Sequence, residues 1–399
     1  MFPSRRATIG GDKFRDEFSL AFDGTNDFVL TTFEPDYIHT NATFAMWIKM
    51  NDFDNQQTMG SHNSRRWYFG FSGTKAFIGV ANANKNNITI TPTPIAGQWL
   101  HYACTAINGT ATVYINGLAQ SDTMPYTQNA STNPTTGFRF GARDNSSGGS
   151  VEQYMNANIS EVVQYDKGLS ASEIKTLYNG REPYNHKEGV CSSNLQGWWR
   201  MGDGVLDGFP IVQDQANTNI GSNLVSNSTF DTNTTGWEQY AGGSGDDNVI
   251  SRETSITHSG SGSLKIVYAA GNGGWGARLS GDAITGTANK LMLMEGYVYV
   301  PSGGYNGGSP MLVDGGSFSS ATTQGSIVAD VSITDQWQYV RSVHILGSDA
   351  TGTIFLHTTG TDPSEGDILY WDDISVRMLE GNAGQMFNMT ASDFEGESF

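Results

Sequence analysis

From residue 18 onward, apolar and polar residues alternate in short runs. In FSLAFDGTNDFVL (18–30), Phe18, Leu20 and Phe22 fall on one side of an extended chain and Ser19 and Ala21 on the other; DGTND then turns the chain back into residues 28–30. Comparable runs follow at TFAMWIKM (43–50), RWYFGF (66–71), KAFIGVA (75–81), NITITP (87–92), WLHYACTAI (99–107) and ATVYING (111–117), each bounded by Gly, Asn, Asp or Pro. Alternation with period two predicts strands that turn one face to a core. Asn108 and Gly109, both tolerant of positive φ, predict a tight hairpin between the last two runs. The period changes once. In LSASEIKTLYNG (169–180), Ile174, Leu177 and Tyr178 share a helical face, Ser170 and Glu173 can form a capping box, Leu169 can staple onto Ile174, and Gly180 offers a left-handed terminator. This predicts a two-turn helix across the sandwich edge.

After Pro183 the alternation loosens, and residues 183–222 read as a connector. Within it, LQGWWRMGDG (195–204) places Trp198 and Trp199 on an extended stretch, so their rings point to opposite sides. The pair is expected to seam two domains, one ring packing on each, in preference to forming a sugar-stacking platform. Strand patterns resume at 222–237, 262–270, 290–300, 325–333, 337–346, 352–360 and 368–379. The reading is all-β: two tandem antiparallel β-sandwich (jelly-roll) domains, 18–182 and 223–378, with one short helix and the irregular connector 183–222. An N-terminal arm (1–17) precedes them, and a C-terminal tail (379–399) is expected to order only against a neighbour.

Composition narrows the function. The chain has 49 glycines, 11% aromatic and only 16% charged residues, with a formal net charge of −18. An acidic body repels phosphate backbones, so nucleic acid is not an expected partner. The exception is the arm, where Arg5, Arg6, Lys13 and Arg15 stand against Asp12 alone, either frayed or docking on an acidic partner. Cys104 and Cys191 allow at most one disulfide. No apolar run approaches 18 residues and no signal-peptide core is visible, so neither membrane insertion nor classical secretion is expected, and synthesis is placed in the cytoplasm.

Four blocks in order, FSLAFDGTNDFV, TFAMWIKM, GQWLHYACTAINGTATVYINGLAQ and NISEVVQYDKGLSASEIKTLYNG, resemble the concanavalin-A-like, laminin-G-like jelly roll. In the second half, NLVSNSTFDTNTTGWEQY, HSGSGSLKI and YWDDISVR resemble jelly-roll carbohydrate-binding modules of families 4, 9 and 22. Tandem modules of this kind ending in an acidic, Met-containing tail are similar to virion structural proteins of marine bacteriophages. That resemblance implies a non-enzymatic head decoration, fibre or tail appendage located in the virion. Other virion proteins and cell-surface glycans would be its partners, and a homo-oligomer fits the role. A carbohydrate-active enzyme or its accessory binding chain is the alternative, and a purely architectural cement protein is a third.

The candidate chemistry is sparse. Glycoside hydrolysis needs two carboxylates about 5 to 9.5 Å apart, one of them held protonated. Jelly-roll glucanases present theirs from alternate residues of one strand, in an E-x-D-x-x-E-like run. This chain has no such run, and Asp372 and Asp373, being adjacent, are expected to face opposite ways. No G-x-S-x-G, H-E-x-x-H or P-loop occurs, and the 7 histidines lack metal-ligand spacing. No catalytic residue is therefore expected. Calcium fits better, since it takes loop carboxylates and carbonyls. The resemblance to binding modules implies a structural calcium tying first strand to last, with Asp231 and Asp373 as ligands and carbonyls from residues 261–265. Those modules often carry glutamate where this chain has Asp231, so Asp231 as a plain turn residue and Asp372 or Asp373 facing solvent compete with it. Asp23, Asn26 and Asp27 read as an Asx turn. For sugar stacking, Trp47, Trp99, Trp237, Trp337 and Trp371 occupy strand positions and read as core. Trp67 (in Arg65-Arg66-Trp67-Tyr68), Trp275, Tyr240 and Tyr305 remain. Trp275 leads, because the Gly-rich GNGGWGAR loop cannot readily bury it and Arg278 lies beside it.

Overall fold

The computed structural model describes residues 16–33, 41–62, 67–80, 83–127, 137–145, 149–204, 206–240, 248–271, 273–281, 284–288, 290–316, 318 and 326–396. The alternating runs of the first half form a sandwich. One face is an eight-stranded sheet in the order Leu118–Pro125, Thr110–Ile115, Trp99–Ile107, Asn41–Met50, Asn156–Tyr165, Phe18–Asp23, Phe394–Gly396, with Leu195–Trp199 also pairing on Asn156–Tyr165. The opposing six-stranded sheet runs Val151–Glu152, Arg143–Asp144, Gln56–Ser61, Trp67–Ser72, Lys75–Val80, Ala83–Thr89. Phe44, Met46 and Ile48 from one sheet meet Met59, Phe69, Phe71 and Ile78 from the other in a dry core. Burying each such side chain contributes roughly 1.5–3 kcal/mol. The predicted hairpin is present, with Asn108 at φ 48° and Gly109 at φ 83°.

The helix, Ala171–Tyr178, has the predicted capping box. Asn179, one residue before Gly180, is the first to take the left-handed conformation, and the helix lies on the outer face of the eight-stranded sheet rather than across an edge: Ile174 and Leu177 pack against Ala45, Ala103, Tyr114 and Val163. Cys104 is buried in a core strand and Cys191 is half-buried; both are free. No helix among the described residues is long and apolar enough to cross a membrane.

The second half also forms a sandwich of two sheets. A five-stranded sheet contains Trp237–Gln239, Trp275–Leu279 and Ala350–Thr359, with Ile284–Gly286 and Ser309–Gly316 also on Ala350–Thr359. Its six-stranded partner runs Val249–Glu253, Ser263–Val267, Ile368–Leu379, Leu291–Tyr299, Trp337–Ile345, Ser326–Ile327. Leu264, Met294, Val298 and Trp371 pack there against Ala277, Leu312, Ile354 and Leu356.

The two sandwiches are joined differently from a tandem pair. A small four-stranded sheet has the order Arg139–Phe140, Phe28–Thr31, Gly384–Phe387, Ile211–Val212. Strands from the expected connector and from the expected tail thus lie side by side on the first sandwich, and the second sandwich is an insertion between them. The tail does order against a neighbour, but that neighbour is its own first sandwich. Phe394 pairs with Leu20, and Met386 and Met389 sit in the first core. Strands of two to four residues carry too few alternating positions for a pattern to reveal, and their partners lie hundreds of residues away.

The tryptophan pair is corrected in the same way. Alternation does send the two rings to opposite sides, but both pack on the first sandwich. Trp199 meets Phe33 at 5.4 Å and Phe140 at 5.0 Å in the main core, whereas Trp198 joins Tyr165, Leu169 and Ile174 beneath the helix. The seam between sandwiches is made instead by Ile211 against Leu291, Leu293, Val343, Leu379 and Ala383. Arg341 Nη1 donates to the Gly208 carbonyl there at 3.1 Å. Truncation after Glu380 is therefore expected to lower the thermal midpoint of the first sandwich. Met386→Ala alone should cost about 2–5 kcal/mol in urea unfolding; wild-type stability in both would contradict the assignment.

Candidate functional site

In the five-stranded sheet of the second sandwich, alternation turns Trp237, Ala277, Leu279, Ile354 and Leu356 inward and Glu238, Arg278, Phe355 and His357 outward. Strict alternation would send Trp275 inward with Ala277. A register shift between those two residues instead brings it beside His357 on the outer face. Gly274, at φ +81°, permits this: a Cβ there would stand 2.7 Å from the Thr358 carbonyl.

The result is a corner of rings. Trp275 packs edge-on against His357 (4.4 Å between centroids), Phe355 (4.7 Å) and Tyr240 (5.6 Å, interplanar angle 89°). The Arg278 guanidinium stacks over Tyr240 at 4.7 Å, and its Nε donates to Glu238 Oε1 at 2.5 Å. Burial holds the His357 pKa below its ordinary value, and its buried Nδ1 has no hydrogen-bond partner among the described residues. The half-buried Trp275 and Tyr240 rings, at right angles over the buried Phe355 and flanked by a guanidinium and a carboxylate, can cradle a ligand with both apolar faces and hydroxyls.

Of the sequence candidates, the structure brings Trp275, Tyr240 and Arg278 together; two others lie elsewhere. Tyr305 packs against the core of the second sandwich and its hydroxyl donates to the Gly308 carbonyl at 2.7 Å. Trp67 is buried in the first core, 5.1 Å from Phe44. One residue further, alternation puts Tyr68 on the opposite face, where Arg143 stacks at 4.7 Å; Arg65 and Arg66 lie outside the described residues. Sequence reasoning missed Phe355, His357 and Glu238, although the alternation of GTIFLHTTG already puts the first two on one side. Of the tryptophans read as core, Trp47, Trp237 and Trp371 are buried, while Trp99 is half-buried beside Lys49 and Trp337 half-buried beside Tyr299.

Asp231 and Asp373 reach the same loop but bind different parts of it. Asp231 Oδ1 accepts from the Ser261 amide at 2.5 Å; Asp373 accepts from Ser259 Oγ at 2.7 Å and contacts His258 Nδ1 at 2.5 Å. Asp372 and Asp373 do not diverge as expected. A register slip with Asp373 at φ 50° turns both toward that loop, and Asp372 Oδ2 accepts from the amides of His258 and Ser259. Among the described residues no three His, Cys, Asp or Glu side chains gather as a metal would require. Asp23 does make the Asx turn, accepting from the amides of Thr25 and Asn26.

The first sandwich gathers three acids that no acidic run in the sequence announces: Asp16, Glu161 and Asp203. Glu161, at φ 50° in the bulge of Asn156–Tyr165, accepts from Trp198 Nε1 at 2.5 Å and Arg200 Nε at 2.8 Å. Asp16 accepts from Ser160 Oγ, and Asp203 Oδ2 accepts from the amides of Glu17 and Phe18. Burial, then the nearby Glu161 and Asp203 charges, push the Asp16 carboxyl far above its ordinary range. These acids fasten the WWRMGDG turn to the strand beneath it. A carboxyl whose pKa is raised on folding stabilises fully only below its unfolded pKa, and that contribution is lost as pH rises toward the folded value. Asp16→Asn, which mimics the protonated acid, is therefore expected to raise the thermal midpoint more at mildly alkaline than at mildly acidic pH. An equal effect at both would contradict the shift.

A profile of the concanavalin A-like lectin/glucanases superfamily matches residues 23–175. Among solved structures the chain is similar to a Bacteroides ovatus protein described as carbohydrate-binding, at 16% identity and TM-score 0.39, covering 51% of this chain and 56% of that one. It is also similar to a pentraxin from Limulus polyphemus (16%, TM-score 0.33, 41% and 82%) and to the CBM22-1 xylan-binding domain of Paenibacillus barcinonensis Xyn10C (18%, TM-score 0.32, 40% and 97%). No curated protein matches.

Proposed function

We propose that the chain is a non-enzymatic glycan-binding structural protein, displayed in many copies on a virion as a head decoration, fibre or tail appendage. The observation that carries the binding is the ring corner of Trp275, Tyr240, Phe355 and His357 with the Arg278–Glu238 pair on the outer face of the second sandwich. Arg278 and Glu238 neutralise each other beside the rings, and a net charge of −18 disfavours polyanions, so the reading favours an uncharged polysaccharide. Each contact is weak; many copies on one particle lengthen residence, provided several engage at once.

The test is an array of neutral marine and bacterial polysaccharides probed with the protein displayed multivalently. Trp275→Ala is expected to weaken retention roughly tenfold or more, whereas Tyr305→Phe should leave it unchanged. A blank array at high valency would favour an architectural cement protein. Release of reducing ends, abolished by changing one carboxylate, would establish a carbohydrate-active enzyme instead. Immunogold labelling of purified particles tests the virion assignment separately, and particles without label would refute it.

A further inference from the structure

The resemblance to binding modules implies a structural cation where the opening turn of the second sandwich meets the loop before Ser263–Val267, and the residues there already supply a positive charge. Arg252, on the edge strand Val249–Glu253, reaches into the junction. Its Nε donates to the Phe230 carbonyl at 2.8 Å; its Nη2 lies 2.5 Å from the Asp231 carbonyl, 2.6 Å from the Ser261 carbonyl and 3.2 Å from Ser261 Oγ. Asp231 closes the ring, its Oδ1 accepting from the Ser261 amide and its Oδ2 from Thr229 Oγ1 at 2.8 Å. Three carbonyls, a hydroxyl and a carboxylate converging from two loops are the oxygen donors a calcium ion would take.

The two glycines of HSGSGSLK make room for this arrangement. A Cβ on Gly260, at φ +58°, would stand 2.1 Å from Asp231 Oδ1; one on Gly262 would stand 2.2 Å from the Phe230 carbonyl and 2.6 Å from Arg252 Nε. Asp373, the other expected ligand, is engaged by His258 and Ser259.

We propose that the Arg252 guanidinium is the resident cation of this junction, so that the second sandwich closes without a divalent ion and the same oxygens take calcium only when the guanidinium is removed. A planar, permanently charged fork with several N–H donors can bridge separate carbonyls, which a compact ammonium cannot do equally well. The proposal is independent of the glycan reading, because the ring corner lies on the other sheet.

The test is thermal unfolding of the full chain in EDTA, in CaCl2 and in MgCl2, for wild type, Arg252→Ala and Arg252→Lys. Wild-type midpoints should coincide in all three. Arg252→Ala should unfold at lower temperature and regain part of the loss with calcium but not with magnesium, which demands a tighter octahedral shell. Arg252→Lys should fall between them and ignore calcium. A wild-type midpoint that drops in EDTA and returns with CaCl2 would overturn the proposal, as would an Arg252→Ala chain that unfolds like wild type or is insensitive to calcium. Should Arg252→Ala fail to fold, Arg252→Lys decides: a midpoint equal to wild type refutes the role of the fork.

Discussion

Two short strands, Ile211–Val212 and Gly384–Phe387, carry the chain out of the first sandwich and back into it, and their antiparallel pairing constrains everything beyond them. Asp214 reinforces the pair. One carboxylate oxygen accepts from the amides of Trp198 and Ala216, the other from the amide and side chain of Asn382 on the returning passage. With Ile211 pressed into the apolar face of the six-stranded sheet, the inserted sandwich is held by two paired strands and a dry contact. A single flexible linker would leave such modules free to reorient.

The same device recurs wherever loops leave backbone groups without sheet partners. Asp207 gathers the amides of Gly202, Gly204 and Gln213, and Asp367 gathers those of Asn306 and Ser364. Buried amides need acceptors, and an acidic chain rich in turns supplies them from carboxylates. Arg252 is the reciprocal case, a donor fork for carbonyls that loops have turned together. Asp207, Asp214 and Asp367 thus each have a structural task.

The ring corner depends on this rigidity. A register shift and a left-handed glycine place Trp275, and the sheet beneath fixes Phe355 and His357. Under the proposed function, a platform fixed in this way would leave little ordering to oppose weak contacts.

By itself the sequence determined what depends on neighbours a few residues apart: the alternating strands, the Asn108–Gly109 hairpin, the capped helix, and the prominence of Trp275 with Tyr240 and Arg278. These are encoded by side-chain period and turn chemistry, which act locally. Only the tertiary structure decided which face of each strand met the core. That choice buried Trp67, packed a half-buried Tyr305 against the second core, turned Tyr68 to the other face beneath Arg143, and added Phe355 and His357 to the corner. It also decided that a bulge would turn Asp372 and Asp373 toward one loop, and that Met386 and Phe394 would complete a core begun by Leu20. Pairing partners and register shifts rest on contacts between residues far apart in the chain, and no local period records them.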